Sequence, residues 1–345
     1  MPILPEVGRI GRLKRSFRAR SPRLYRTARS AYHAPDRIRV PRFVRRIGLA
    51  NVASALGLSP RIGRLAHHAP RALRPPGAVV LRAGPRPPSI SLVTPSFEQG
   101  AFLERTLRSV LDQDYPALEY VVQDGGSRDG TPAVLARHAA RLHHVASAPD
   151  GGQADAINQG FAHTSGEIMG WLNSDDRLLP GSLAYVANHF ASHPEIDVIY
   201  GHRVLIDERD REIGRWILPE HDDDVLRWVD FVPQEALFWR RRAWEKAGGA
   251  LDVGFRFALD WDLLLRFQEA GMRMARVPRF LGAFRVHPTQ KTSAWQDVGK
   301  DEVDRLRART LGFVPDSAQV KRRIRGYLMR HVVLHGLHRA RLVRF

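Results

Sequence analysis

The chain has no cysteine, so a disulfide framework and thiol chemistry are both excluded. No stretch approaches the ~18–20 consecutive apolar residues that cross a bilayer; the apolar run 77–81 falls far short. The first residues carry arginine every few positions without an apolar core, which is not the pattern of a secretory signal. These absences fit a reducing compartment and make a cytoplasmic protein the expectation, with a transit peptide as the minor reading of the acid-poor start. No G-x-S-x-G elbow is present, which removes the usual support for Ser/His/Asp hydrolysis. A Walker loop and a G-x-G-x-x-G fingerprint are missing too, which weakens kinase and dehydrogenase readings.

What is present is an uneven charge. Lys plus Arg number 54 against 36 Asp plus Glu, a net +18 over 345 residues. Residues 1–88 hold 20 basic residues and only Glu6 and Asp36 as acids, and residues 321–345 hold 8 basic residues and no acid. The middle, 89–320, is net −8. An acidic body between basic ends argues against a main domain that grips nucleic acid. Residues 1–88 therefore read as an Arg/Pro-rich extension, closed by Pro75, Pro76, Pro85, Pro87 and Pro88. Phe43, Val44, Ile47, Leu49, Val52, Leu56 and Leu58 could form amphipathic turns edged with arginine. Three uses of the extension stand side by side: a solvated arm, a helix on an anionic membrane surface, and nucleic-acid contact.

At Ser89 the texture changes. Strand patterns at 89–94, 118–123, 143–147 and 168–172 alternate with helical spacing at 101–113, 132–142 and 153–163. A helix at 181–192, a strand at 197–205, an acidic loop at 207–212, a loop entering a strand at 231–242, a helix opening near 257 and a strand near 275–286 follow. Alternation at this pitch predicts βαβ units and a mostly parallel sheet, with ligands outside the carboxyl ends of the strands. The polar turns 94–100, 124–131 and 173–177 all fall there.

Asp175 and Asp176 end an apolar strand beside Asn173 and form an oxygen-rich cluster suited to Mg²⁺ or Mn²⁺. Asp124 heads a Gly-Gly-Ser turn, and Asp150–Gly160 opens a helix with a glycine pair followed by Asp155 and Asn158. Asp260 and Asp262 flank Trp261 at a helix start, where a carboxylate beside an indole can serve as a general base. His287 can ligate a metal or donate to phosphate. Each has a plainer alternative: a helix cap, a bare turn, a polar helix face or a structural histidine.

Taken in order, the motifs T-P-S-F-E-Q-G (94–100), R-S-V-L-D-Q-D-Y-P (108–116), D-G-G-S-R-D-G-T (124–131), D-G-G-Q-A-D-A-I-N-Q-G (150–160), G-W-L-N-S-D-D (170–176), D-W-D-L-L-L-R (260–266) and R-V-H-P-T-Q-K-T (285–292) resemble the family 2 inverting glycosyltransferases over about 89–295. The resemblance implies a GT-A, Rossmann-like α/β fold at 89–320, with a nucleotide half at about 89–177 and an acceptor half at about 178–295. Basic extensions, 1–88 and 321–345, would flank it. It implies that Thr94, Pro95 and Ser96 line the nucleotide pocket and that Asp124 meets the base. Asp175 and Asp176 stand for the metal-binding Asp-x-Asp element, whose first position is Asn173, and His287 joins them as a metal residue. Glu98, Gly125, Ser127, Gly152, Asp155, Asn158, Ser174 and Gln234 complete the candidate nucleotide-sugar set. Asp260 matches the catalytic base, with Leu259 where glutamate is usual, and Asp262 is the reserve.

The implied reaction moves a sugar from a UDP, dTDP or GDP donor to a saccharide or lipid-linked hydroxyl, with Mn²⁺ or Mg²⁺. Its setting would be bacterial surface polysaccharide or glycolipid synthesis, at the inner face of the membrane through the basic ends. A sugar nucleotidyltransferase is the rival enzyme, although the loop after the first strand lacks a cation for phosphate. The rival of another class is a basic membrane- or RNA-binding protein with an idle GT-A domain.

Overall fold

The computed structural model describes residues 60–77, 79–82, 86–288, 290 and 296–345. The groupings at 43–58, and Thr289, Lys291 and Thr292 of the last motif, lie outside the described residues. The chain divides into two compact units, residues 61–335 with 343–345, and residues 1–60 with 336–342. The sheet and the candidate site belong to the first.

Its first half runs β1 (Ile90–Ser96), α1 (Gly100–Leu111), β2 (Leu118–Asp124), α2 (Thr131–His138), β3 (His144–Ser147), α3 (Gln153–Ala162) and β4 (Ile168–Trp171). The second half continues β5 (Arg177–Leu178), α4 (Ser182–Ser192), β6 (Val198–Ile206), β7 (Glu212–Trp216), α5 (Asp223–Leu226), β8 (Leu237–Arg240), α6 (Arg241–Lys246), α7 (Leu259–Glu269), β9 (Met274–Arg285), α8 (Gln296–Leu311) and α9 (Ser317–Arg339). The sheet order is β3-β2-β1-β4-β8-β6-β9-β5, with β7 paired to β6. The strands of the first half are parallel. β8 joins them to β6 by antiparallel pairing on both sides, and β9 returns parallel to β6. The α/β expectation holds, with parallel pairing concentrated where nucleotide sites form.

Both faces of the sheet are covered, which is why its strands read as unbroken apolar runs. Alternate residues go to opposite layers. Ile90, Leu92, Tyr120, Val122, Ile168, Ile199 and Phe238 pack under α1, α2 and α4. Val93, Val121, Met169, Trp171, Val198, Tyr200, Leu237 and Trp239 pack under α3 and α7. The second layer holds an indole cluster, with Trp171 and Trp239 ring centroids 5.5 Å apart and Trp239 and Trp244 at 6.1 Å. Burying side chains of this size stabilises by roughly 2–3 kcal/mol each.

The strand ends are level where the site forms. Ser96 of β1 stands opposite Asp124 of β2, and Asp124 opposite Ser147 of β3. The turns at 97–100, 125–131 and 148–152 therefore leave the sheet along one edge.

The sheet-bearing unit takes in residues on both sides of the expected bounds at 89 and 320. From Arg61 on, the chain packs on the domain: His67 and His68 N–H donate to the Ile213 carbonyl, and Arg71 and Glu212 exchange backbone hydrogen bonds. The buried Glu212 carboxylate pairs with Arg71 and with Arg215, which hold its pKa well below the usual carboxylate range against the push of burial. The C-terminal boundary at 320/321 falls inside α9, whose Val320 and Tyr327 are buried, Tyr327 lying 4.6 Å from Phe231 between ring centroids. Basic residues dominate the composition there, but they sit outside while the rings face in. Among the described residues no helix is long and apolar enough to cross a membrane.

Candidate active site

The first two turns are stitched to each other. Asp124 is fully buried; one carboxylate oxygen accepts from the Ser127 hydroxyl at 2.6 Å, and the other from Ser127 N–H at 2.9 Å and the Ser147 hydroxyl at 2.6 Å. Ser127 Oγ accepts from Glu98 N–H at 2.7 Å, and Glu98 accepts from Arg128 N–H at 2.8 Å. Asp124, Ser127 and Glu98 thus shape the turn with the oxygens that would otherwise meet a ligand. Thr94 is also turned inward, sharing a 2.9 Å hydrogen bond with Tyr120 in the core. Ser96, beside buried Pro95, differs: its hydroxyl is buried and has no hydrogen-bond partner among the described residues.

Gly125 lets two side chains close in, since a Cβ there would stand 3.0 Å from an Asp150 carboxylate oxygen and 3.1 Å from Phe97. Asp150 was not among the residues singled out from the sequence, although it heads the D-G-G-Q motif. Burial raises its carboxyl pKa, a hydrogen bond from Gly152 N–H lowers it, and Asp155 and Asp124 raise it further. Gly152 precedes α3 with φ 107°, a conformation that glycine tolerates. Asp155 accepts from Gly151 N–H at 2.8 Å and from Gln159 at 2.8 Å. Asn158 donates to the Leu251 carbonyl at 2.9 Å and accepts from Leu251 N–H at 2.8 Å. Asp155 ties the Gly151 turn to the first turn of α3, and Asn158 fastens the loop that leads into α7. Both amide atoms of Asn158, expected in the nucleotide-sugar set, are engaged with the Leu251 backbone.

The turn after β4 separates its two aspartates. Asp176 is 1% exposed and accepts from Arg285 N–H at 2.9 Å. Burial pushes its carboxyl well above the ordinary range, and the charges of Asp175 and Glu235 push the same way. The Thr106 hydroxyl shares its proton between the carbonyls of Ser174 and Asp176, at 2.8 and 2.7 Å, which pins the backbone of both. Asp175 instead meets His287, with Oδ2 3.0 Å from Nε2. Behind the pair, Phe102 lies 4.8 Å from the His287 ring and beneath the Arg285 guanidinium at 5.0 Å. Asn173 and Gln234 are tied to each other at 3.1 Å, and Gln153 donates to Asn173 at 2.7 Å.

Asp260 enters from the acceptor half, half-buried in the first turn of α7, and accepts from Trp261 N–H at 2.9 Å. Burial pushes its pKa from the usual 3.8 to about 6; the Trp261 N–H and Arg203 lower it, and Glu235 raises it. Asp230 is an exposed residue whose carboxyl is raised by desolvation and then by the charge of Asp260. Arg203 is clamped bidentately by Glu235, at 2.8 and 2.7 Å, and lies between the rings of Trp216 and Phe284, each 4.6 Å away. Asp230, Arg203 and Glu235 carry no recognisable motif. The pattern P-Q-E at 233–235 was the sole sequence signal near them.

Asp262, expected as the reserve base, is engaged by two arginines. It is 1% exposed and held by Arg266 at 2.8 Å and Arg309 at 2.6 Å, so both oxygens are spent on ion pairs inside the domain. An (i, i+4) partner to Asp262 was visible in D-W-D-L-L-L-R.

Among the described residues, Asp175 and His287 are the expected metal residues that the structure brings together. Asp175 and His287 offer one carboxylate oxygen and one imidazole nitrogen at the outer end of this cluster, a donor set suited to Mn²⁺ or Mg²⁺ whose remaining positions go to water and phosphate oxygens. No group of three or more His, Cys, Asp or Glu that could hold a metal occurs among the described residues, so a full protein cage is not offered there. Asp176, also expected as a metal residue, is buried and gives one carboxylate oxygen to Arg285 N–H.

Residues 91–249 match the family described as Glycosyl transferase family 2. The O-antigen biosynthesis protein RfbC of Myxococcus xanthus is 32% identical over 231 residues, 66% of this chain and 18% of that protein. An uncharacterized glycosyltransferase of Mycobacterium tuberculosis is 33% identical over 185 residues, 52% of this chain and 68% of the relative. The chain therefore spans a small part of the first relative and about two thirds of the second. Among solved structures, the mannosyltransferase PcManGT from Pyrobaculum calidifontis, in complex with GDP-Man and Mn²⁺, superimposes with a TM-score of 0.51 at 19% identity, over 85% of this chain and 79% of that one. At that identity the likeness concerns the fold.

Proposed function

The chain belongs to glycosyl transferase family 2, and from that premise we propose that it moves a sugar from a nucleoside-diphosphate donor to a hydroxyl acceptor with inversion at the anomeric carbon. The observation that carries the reading is a pair of unlike carboxylates, Asp260 and the Asp175 next to Asp176, linked electrostatically because Asp176 and Asp260 both feel the charges of Glu235 and Arg203. Asp175 is paired with His287 at the nucleotide half, and Asp260 is raised to about 6 at the acceptor half. A carboxylate with that pKa is ionised at neutral pH yet basic enough to take a proton.

In the proposed reaction Asp260 accepts the proton of the acceptor hydroxyl as that oxygen attacks the anomeric carbon and the nucleoside diphosphate departs from the opposite face. Trp261 N–H holds the attacking side of Asp260 in place. Ser96 offers an uncommitted hydroxyl to the donor, and Asp150, drawn against Gly125, offers a carboxylate at the same edge. A divalent cation held by Asp175 and His287 would supply neutralising charge for the diphosphate. Phe102 and Arg285 keep His287 and the backbone of Asp175 in register, the latter through Arg285 Nε on the Asp175 carbonyl at 2.7 Å.

The finer reading takes in the setting. The reading is completed by a UDP, dTDP or GDP donor, by analogy with the GDP-Man of the mannosyltransferase of like fold, and by an acceptor from surface polysaccharide or glycolipid synthesis, in line with the O-antigen relative. To these it adds action at the cytoplasmic face of an anionic membrane, which the basic ends of the chain would suit. On α9, Lys321, Arg322 and Arg325 are exposed together with Met329 and Val333, a mixture suited to lipid headgroups. The deciding experiment offers the protein a panel of nucleotide sugars with Mn²⁺ and reads thermal shift and donor hydrolysis. Stabilisation and slow hydrolysis with one nucleotide class are expected. Indifference to every donor would reject the proposal.

A further inference from the structure

Three amide side chains link three separate strand-end turns. Gln234 donates from Nε2 to the Trp171 carbonyl at 2.8 Å, Asn173 donates from Nδ2 to Gln234 Oε1 at 3.1 Å, and Gln153 donates from Nε2 to Asn173 Oδ1 at 2.7 Å. The direction of the chain is forced from one end. A backbone carbonyl can only accept, so Gln234 must turn its NH₂ to Trp171 and its oxygen to position 173. Residue 173 must then donate to Gln234 and accept from Gln153. Asparagine does both; a carboxylate would set two acceptors against each other at a buried Gln234, 6% exposed.

Position 173 also opens the turn that carries the cation pair. The Asn173 carbonyl accepts from Asp176 N–H at 3.0 Å, and Asp175, between them, faces His287. The far end of the chain reaches α3, where Gln153 lines a cavity of about 260 Å³ with Gly151, Gly152, Val253, Phe255 and Arg256.

We infer that Asn173 is a positioning residue whose amide, and not a carboxylate, is required to hold the Asp175 turn against the donor loop. The asparagine at the first place of the Asp-x-Asp element is then not a lost metal ligand. This rests on the donor-site reading above, and it opposes the simplest extension of that reading, in which a carboxylate at 173 would strengthen the cation site.

Asn173→Asp separates the two because they predict opposite signs. The amide chain predicts at least a tenfold fall in kcat/KM, of the order of one buried hydrogen bond lost and one acceptor left unpaired, and Mn²⁺ binding by the protein alone no tighter than in the wild type. A vestigial ligand predicts tighter Mn²⁺ binding, read by electron paramagnetic resonance without donor, and equal or higher turnover. The double variant Asn173→Asp/Gln234→Lys restores donors toward both Trp171 and position 173 and is expected to recover part of the loss. Gln153→Glu, at the more exposed end, should lower kcat/KM without unfolding the protein, which keeps the test open if Asn173→Asp does not fold. Tighter Mn²⁺ binding with undiminished turnover in Asn173→Asp overturns the inference, as does wild-type kcat/KM in Gln153→Glu. A wild-type protein that neither binds nor turns over any nucleotide sugar would instead overturn the proposed function.

Discussion

Replacing Asp260 by asparagine should abolish transfer and stabilise the fold, two effects of opposite sign from one carboxylate. The helix start offers Asp260 a favourable dipole and the Trp261 N–H, yet burial wins and carries its pKa from 3.8 to about 6. That rise corresponds to ~3 kcal/mol against the ionised form. Part of it is shared with Asp230, which Asp260 pushes upward in return, so a gain of ~1–3 kcal/mol at neutral pH is expected. Between about 4 and 6 the native state binds more protons at this site than the unfolded chain, so wild-type stability falls as pH rises through that window and remains lowered above it. The substituted amide keeps the shape and can still accept from Trp261 N–H, and the variant should lose most of this slope. Denaturant melts at pH 5 and pH 8, run beside kcat/KM profiles, measure both effects. The wild-type rate should rise with pH through an apparent pKa near 6, and the variant should lose ~10²–10⁴ in kcat while still binding donor. Normal turnover in Asp260→Asn, or a variant destabilised equally at both pH values, would refute the assignment.

Chelation by EDTA should remove transfer activity and Mn²⁺ or Mg²⁺ restore it, with Asp175→Asn requiring more cation; full activity in chelator would sink the cation claim. Asp262→Asn strands the guanidinium groups of Arg266 and Arg309; it should cost ~2–4 kcal/mol in denaturant unfolding and leave kcat of the folded fraction within about twofold. A larger selective loss of kcat would return Asp262 to the reaction. The variant Lys321→Glu/Arg322→Glu/Arg325→Glu should float less well with vesicles rich in phosphatidylglycerol, the wild type releasing as salt rises. Equal flotation of both proteins would take α9 out of any membrane contact.

The sheet was legible because its strands are buried on both faces and end in glycine and aspartate turns; Ile90–Ser96 and Leu118–Asp124 depart from the expected bounds by one or two residues. The short elements β7, α5 and α6 were not, since four to six residues give too little period to read. The tail misled by composition. Its charges describe the outer side of α9, while Tyr327, His331 and His335 on the inner side decide that it packs. Within the site, polar residues at strand ends were found, but their direction was not. Asn158 and Asp262 lie in the expected motifs and face Leu251 and two arginines instead of the cleft, partners as far as 93 and 47 residues away in sequence. The same distance hid Arg203 and Glu235, whose pairing exists only once β6 has come alongside the turn before β8.

The fate of the two adjacent aspartates shows how burial divides one residue type into two roles. Asp176, Asp230, Asp260 and Glu235 form one electrostatic group, and Arg203 acts on all of them. A nucleoside diphosphate would bring further negative charge to it. That load is bearable only if some carboxyls are held neutral or occupied and a compensating cation enters elsewhere. Asp176 meets the first condition, buried against Arg285 N–H with its pKa driven up. Asp175, one residue earlier and 20% exposed, would meet the second, because its carboxylate keeps some contact with solvent while it pairs with the buried His287. An Asp-Asp pair in a sequence invites the reading of two metal ligands. Here, in the turn that Thr106 pins, Asp175 faces His287 while Asp176 accepts from Arg285 N–H on the strand that leads to His287.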